Sequence, residues 1–275
     1  MNTPPHISFL RNTETTLNTS DGKQVEVWEL CHTSCSVILS AWAKHFREHY
    51  CLDTLIDRLS DGTGLSRREY LLQIKFPDEF GAPGPSTRAG DFGEILVADF
   101  LAFIDNYEIP SRKTRYCNKT NRNESTKGSD IIAFKFANSS NPTPQDELAV
   151  FEAKAKFSGN TNSAQKRLQD AIEDSAKDKL RIAESLNAMK QRFIDSGDIA
   201  TEMKVKRFQS EADNPYKITN GAVALVCNSN YSSAIATDAD ARTHPNSGNL
   251  RLIVIKGADM MALVHALYRR AADEA

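Results

Sequence analysis

The run Leu148-Ala149-Val150-Phe151-Glu152-Ala153-Lys154-Ala155-Lys156 constrains this chain more than any other stretch. Alternation with period two puts Leu148, Val150, Glu152, Lys154 and Lys156 on one face of a strand, and Ala149, Phe151, Ala153, Ala155 and Phe157 on the other. The second face is wholly apolar, so the strand belongs in a core. The first face turns ionic halfway along. Burying a carboxylate and an ammonium is expensive unless they pair or meet a metal. A fold built on this strand must therefore give Glu152 and Lys154 partners.

In bulk the chain is ordinary. Its 275 residues suffice for one large domain or two modest ones, and 40% hydrophobic with 25% charged residues is soluble globular composition. With 34 basic and 36 acidic residues the net charge is -2, so contact with a polyanion has to come from a local patch or a partner chain. Five cysteines at irregular spacing follow a start, Met-Asn-Thr-Pro-Pro-His, that has neither a basic n-region nor an apolar h-region; both features predict reduced thiols and a cytoplasmic protein. No apolar run approaches the roughly 20 residues that span a bilayer, and no membrane association is expected.

Along the first third, residues 1 to about 20 read as poorly ordered apart from an apolar piece at Ile7 to Leu10, and Gln24 to Leu30 alternates as a strand. From Cys35 to Leu59 the residues Val37, Leu39, Trp42, Phe46, Leu52, Leu55, Ile56 and Leu59 form a helical stripe, stopped by Asp61-Gly62-Thr63-Gly64. Leu71 to Phe76 reads as a strand. The breaker cluster Gly81-Ala82-Pro83-Gly84-Pro85 then sets a boundary between an α+β N-terminal region, residues 1–84, suited to docking a partner, and a second domain, residues 85–275. His45 and His49 lie one helical turn apart, close to Cys51. Their segment lacks the glutamate a zinc hydrolase places beside its first histidine, so it reads as a helix face with core thiols.

Beyond the boundary comes Arg88-Ala89-Gly90-Asp91-Phe92-Gly93-Glu94 and an amphipathic helix to about Asn106, on which Glu94 shares its face with Val97, Ala98, Leu101 and Ile104. A glutamate on an apolar stripe is a second anomaly, although a first-turn glutamate favoured by the helix dipole and reached by water would explain it. Arg112, Lys113, Arg115, Tyr116, Lys119 and Arg122 make the next stretch basic and aromatic, either a guarded edge strand or a phosphate contact. Lys127 to Phe136 reads as a strand headed by Asp130, paired antiparallel with the ionic strand. A long surface helix spans Asn162 to Ile194, with Leu168, Ile172, Ala176, Leu180, Ala183, Leu186, Met189 and Phe193 inward. Gly221 to Cys227 and Leu250 to Ile255 read as strands covered on both faces, and Ala258 to Ala272 as a closing amphipathic helix.

This order supplies a chemistry. Phosphodiester hydrolysis needs a divalent cation on hard oxygen ligands, an activated water and positive charge for the phosphate. Asp130 and Glu152 on adjacent strands offer two carboxylates to Mg²⁺, with Mn²⁺ as a substitute, and the Ala153 carbonyl offers a further oxygen. Glu94 would hold a water on the metal or a second cation from the helix above. Lys154 lies on the face of Glu152, roughly 6 to 7 Å along the strand, where an ammonium orients water or meets the phosphate. The expected site is therefore Glu94, Asp130 and Glu152 as metal ligands and Lys154 as the catalytic cation, with Gln165 and Gln169 as candidate phosphate or water contacts on an otherwise solvated helix face.

Helix glutamate, strand aspartate and Glu-x-Lys, in that order, resemble the PD-(D/E)XK nuclease superfamily over about residues 88 to 228. The resemblance implies an α/β fold with a mixed-sheet αβββαβ core flanked by helices. Glu202-Met203-Lys204 repeats the Glu-x-Lys spacing without an apolar run before it, and is a decoy. More closely, Arg88 to Glu94, Gly128-Ser129-Asp130 and Phe151-Glu152-Ala153-Lys154 resemble the HamA family, nuclease subunits of Hachiman-type bacterial anti-phage systems. That resemblance implies a metal-dependent DNA endonuclease held in check by a superfamily 2 helicase subunit (HamB-like). A catalytically silent nuclease fold that binds DNA or regulates a complex is the alternative, as is an interaction protein in which Glu152 and Lys154 form an ordinary buried pair.

Overall fold

A computed structural model describes residues 2–110, 115–125, 128–138, 141–176 and 178–275, without the side chains of residues 178–180. The expectations that fall on Arg112, Lys113, Lys127 and the Leu180 side chain lie outside the described residues. The strands in chain order are β1 (Leu10–Asn18), β2 (Gln24–Leu30), β3 (Ile131–Lys135), β4 (Glu147–Lys156), β5 (Lys217–Cys227) and β6 (Leu250–Gly257). The helices are α1 (Ser36–Arg47), α2 (Ile56–Ser60), α3 (Arg67–Tyr70), α4 (Gly84–Phe103), α5 (Thr161–Gln165), α6 (Arg167–Ala176), α7 (Asp178–Ser196), α8 (Ile199–Arg207), α9 (Ala234–Thr237) and α10 (Met260–Asp273).

All six strands join one sheet in the order β1-β2-β6-β5-β4-β3. The four inner strands run parallel, while β1 and β3 close the two edges antiparallel. The continuous apolar runs of β5 and β6 occupy the centre, where helices cover both faces and no polar alternation is needed. On one face, α4 and α10 pack Phe92, Leu96, Leu101 and Leu267 against Phe151, Ala153, Val223, Leu225 and Ile253. On the other, α6 lays Leu168 and Ile172 on Ala222, Ala224 and Leu252, and α7 with α8 covers Ile132, Phe134, Leu148 and Val150. Gly221 pairs with Phe151, and a Cβ there would lie 2.1 Å from the Phe151 ring, so only glycine leaves that ring its place beside Glu152.

Several local expectations give way to tertiary context. The stretch read as poorly ordered holds β1, whose mostly exposed, Thr-rich residues need no apolar alternation because they form a sheet edge with an irregularity between Asn12 and Thr16. The single helix over 35–59 is two pieces. Arg47 turns inward to bond Asp53 at 2.7 and 2.8 Å and the Ala271 carbonyl, and the chain bends around it. Leu71–Lys75 is helical rather than a strand, because a capping box between Ser66 and Glu69 starts a helix that runs on through it. The basic stretch forms no named strand among the described residues; a single bridge, Glu108 to Phe134, stands where an edge strand was expected. The long surface helix is interrupted at Lys166, between α5 and α6, and α4 begins within the breaker cluster itself, at Gly84. No helix among the described residues is long and apolar enough to cross a membrane.

Candidate active site

Antiparallel pairing of Ile131 with Phe151 puts Asp130 one step ahead of β3, across from Glu152. The Ala153 N–H donates to Asp130 Oδ2 at 3.0 Å, which fixes the carboxylate just before β3 starts, where β4 is paired only with β5 and is open on the β3 side. The Ala153 carbonyl leaves β4 on that same open side, as N–H and C=O of one strand residue do. Glu152 is 2% exposed. Lys154 follows on the same face, its Nζ 3.6 Å from Glu152 Oε2 and 2.6 Å from Asp174 Oδ2 on α6. The strand thus acquires the partners its sequence demanded, one of them from a helix.

Glu94 lies on the other face of β4, on α4, and is 8% exposed, not reached by water as a first-turn glutamate would be. Its Oε2 accepts from Arg115 Nε at 3.0 Å and from the Tyr116 hydroxyl at 2.7 Å, and lies 3.0 Å from Arg115 Nη2. The same guanidinium stands 3.9 Å from Asp130 Oδ1 and donates to the Ser129 carbonyl at 3.1 Å. Asp130, Glu152 and Lys154 are therefore brought together directly, and Glu94 joins them through Arg115. One turn before Glu94, Asp91 accepts from Tyr50 at 2.6 Å and Lys119 at 2.5 Å.

Electrostatics follow from this crowding. Burial, and then the charge of Glu152, push Asp130 up to about 7 against the pull of Arg115. Burial raises Glu94 as well, with Arg115 and Tyr116 opposing and Asp130 reinforcing. Burial and Glu94 likewise lift Asp91 to about 7 against Lys119. Burial works against the Lys154 cation, yet its bond to Asp174 and the charges of Asp130 and Glu152 raise it overall, so the ammonium stays charged. Asp130 and Glu94, whose ionised forms burial destabilises, are hard-oxygen donors of the kind Mg²⁺ takes, and Glu152 faces Asp130 as a third.

The remaining candidates have structural roles. Gln165 bonds Ser232 at 3.0 Å, and Gln169 bonds Glu173 and the Asp240 N–H, so both pin the segment around α9 and neither belongs to the site. His45 turns toward α4. Its Nε2 lies 2.9 Å from both oxygens of Asp99, which His6 Nε2 meets at 3.0 Å; His45 and His49 only stack edge to face. This trio is the one group of three among the described residues whose ligand atoms all lie within 4.8 Å. Its separations are hydrogen-bond lengths, and an ionised carboxylate only accepts, so each ring donates an N–H. Burial opposes the Asp99 charge, but the two imidazoles outweigh it and hold the carboxyl well below its usual range. The trio fastens the N-terminal segment and α1 to the helix that carries Glu94. Sequence reading missed Asp174, His6 and Asp99, which sit on unremarkable polar positions; Asp91, one turn ahead of Glu94 on the same helix, was the one visible signal.

A mixed six-stranded sheet flanked by helices, with carboxylates and a lysine gathered at one open strand end, makes this an α/β fold consistent with a nuclease-like core. The chain belongs to the HamA family, whose model, described as HamA, matches residues 5–271. Membership makes it a component of a Hachiman defence system. Among curated proteins, none matches this chain.

Proposed function

We propose that the chain is a Mg²⁺-dependent DNA endonuclease, the nuclease effector of a Hachiman complex that also holds a superfamily 2 helicase subunit. The observation that carries this reading is the facing pair Asp130 and Glu152 with Lys154 next along the same face of β4. Asp130 and Glu152 would hold the cation, assisted by the Ala153 carbonyl and, from α4, by Glu94. Bound Mg²⁺ supplies positive charge for the phosphate and acidifies a water. Lys154 presents an ammonium that stays charged near neutrality and orients the attacking water or steadies the phosphate oxygens. Asp174 keeps that ammonium beside the carboxylates.

A net charge of -2 gives the chain no overall attraction for DNA, so strong engagement depends on a basic partner. The cytoplasm is the compartment in which such a complex meets phage DNA. The test is conversion of supercoiled plasmid by the purified chain, with Mg²⁺ or EDTA, alone and with the helicase subunit and ATP. Nicking that requires Mg²⁺ and disappears in Glu152→Ala supports the reading. Absence of cleavage under every condition, or cleavage indifferent to Glu152→Ala, sinks it.

A further inference from the structure

Between Glu94 and Asp130 stands a cation that the chain supplies itself. Arg115 reaches Glu94 Oε2 with Nε and Nη2, both at 3.0 Å, and leans toward Asp130 Oδ1 at 3.9 Å. With the Tyr116 hydroxyl at 2.7 Å, Glu94 Oε2 already accepts two hydrogen bonds, with Arg115 Nη2 in ion-pair contact beside them, so its two lone pairs are taken. A divalent ion that bonds this oxygen at roughly 2.0–2.6 Å would sit almost against the guanidinium, cation on cation, in a buried site. Both cannot hold Glu94 Oε2 at once.

The backbone that follows Arg115 is fastened in place. Tyr116 N–H donates to the His49 carbonyl at 3.2 Å, and Lys75 Nζ donates to the Cys117 carbonyl at 2.9 Å. Arg122 bonds the Leu72 and Phe76 carbonyls and Asp78, while the Tyr116 ring stacks on Tyr50 at 5.0 Å. Every one of these anchors belongs to the part of the chain before α4. Residues 115–123 thus form a strap fastened to the N-terminal region, from which two side chains, Arg115 and Lys119, reach down to Glu94 and Asp91.

We propose that Arg115 is a built-in plug: its guanidinium occupies the cation's place on Glu94, and loading with a divalent ion requires the side chain to swing away while the strap's backbone stays pinned. The proposal rests on the metal-site reading above, and its test separates the two. Ca²⁺, which probes binding without turnover, is titrated calorimetrically into the full chain, Arg115→Ala, Arg115→Lys, and each background with Glu152→Gln. Melting temperature with Ca²⁺ and with EDTA is the second readout. The expected result is at least tenfold tighter Ca²⁺ binding in Arg115→Ala, an intermediate value for Arg115→Lys, and a larger Ca²⁺-induced rise in melting temperature in Arg115→Ala than in the parent. Glu152→Gln removes the binding in each background.

If Arg115→Ala fails to fold, Arg115→Gln keeps an N–H for Glu94 without the charge and carries the same expectation. Glu152-dependent binding that is unchanged or weaker without the guanidinium overturns the plug and leaves the metal site standing; Arg115 would then orient Glu94. Binding that ignores Glu152, or that is absent from parent and variants alike, overturns both.

Discussion

Asp130 is the residue whose removal the site should welcome in the absence of metal. Its carboxyl is pushed from 3.8 to about 7 by burial and by Glu152, so the folded state holds a proton there that the unfolded chain has already lost. A folded-state pKa above the unfolded one, in an acid, means stability present at low pH and lost as pH rises from about 4 to about 7. A shift of that size corresponds to about 4 kcal/mol as a ceiling. Asp130→Asn removes the charge yet keeps a carbonyl oxygen for the Ala153 N–H at the position of Oδ2. Arg115 loses one of its two anionic neighbours in the exchange, so the expected gain at pH 8 in EDTA is about 2–4 kcal/mol. At pH 4 the two proteins should coincide. Urea denaturation across that range, with EDTA and then with Mg²⁺, measures it, and saturating Mg²⁺ should restore the parent but not the variant. A variant less stable than the parent at pH 8, or a difference that does not change with pH, would refute the reasoning.

Three further outcomes follow from the same geometry. Asp99→Ala strands the buried His6 imidazole and the partly buried His45 imidazole and should cost about 2–4 kcal/mol at neutral pH; because the Asp99 pKa is depressed, that loss should shrink only as pH falls below the usual carboxylate range, which acid titration of the melting temperature would follow. Gly221→Ala drives a Cβ into the Phe151 ring and should cost about 1–3 kcal/mol by chemical denaturation, with Phe151→Leu in the same chain recovering part of it. Lys154→Ala should reduce Mg²⁺-dependent plasmid cleavage by about 100-fold or more while circular dichroism stays that of the parent.

Legibility in the sequence tracked how local the governing physics was. Alternation exposed β4 and the faces of Phe151 and Glu152, and continuous apolar runs exposed β5 and β6, since burial on one or two faces writes directly into residue order. The pairing of β3 with β4 followed from their succession in the chain, with a single loop between them. By contrast β1 is an exposed edge whose position depends on β2, and nothing in its own residues demands a strand. The break after α1 hangs on Arg47 finding Asp53 and the Ala271 carbonyl, a contact with the far end of the chain. The same holds at the site. Glu94, Asp130, Glu152 and Lys154 stood out because each is a charge in an apolar pattern, whereas Asp174 and the seat of Arg115 exist only once α6 and the strap have packed.

Hydrolysis by this chain requires Asp130 and Glu152 to hold a divalent cation at the open end of β3 and β4. Anomalous diffraction at the manganese edge, from crystals of the chain grown with Mn²⁺, tests this directly. The account predicts a peak within bonding distance, roughly 2.1–2.3 Å, of oxygens from both Asp130 and Glu152, with the Arg115 guanidinium withdrawn from Glu94. A strand end without manganese in crystals that bind it elsewhere, for instance between His6, His45 and Asp99, would contradict it.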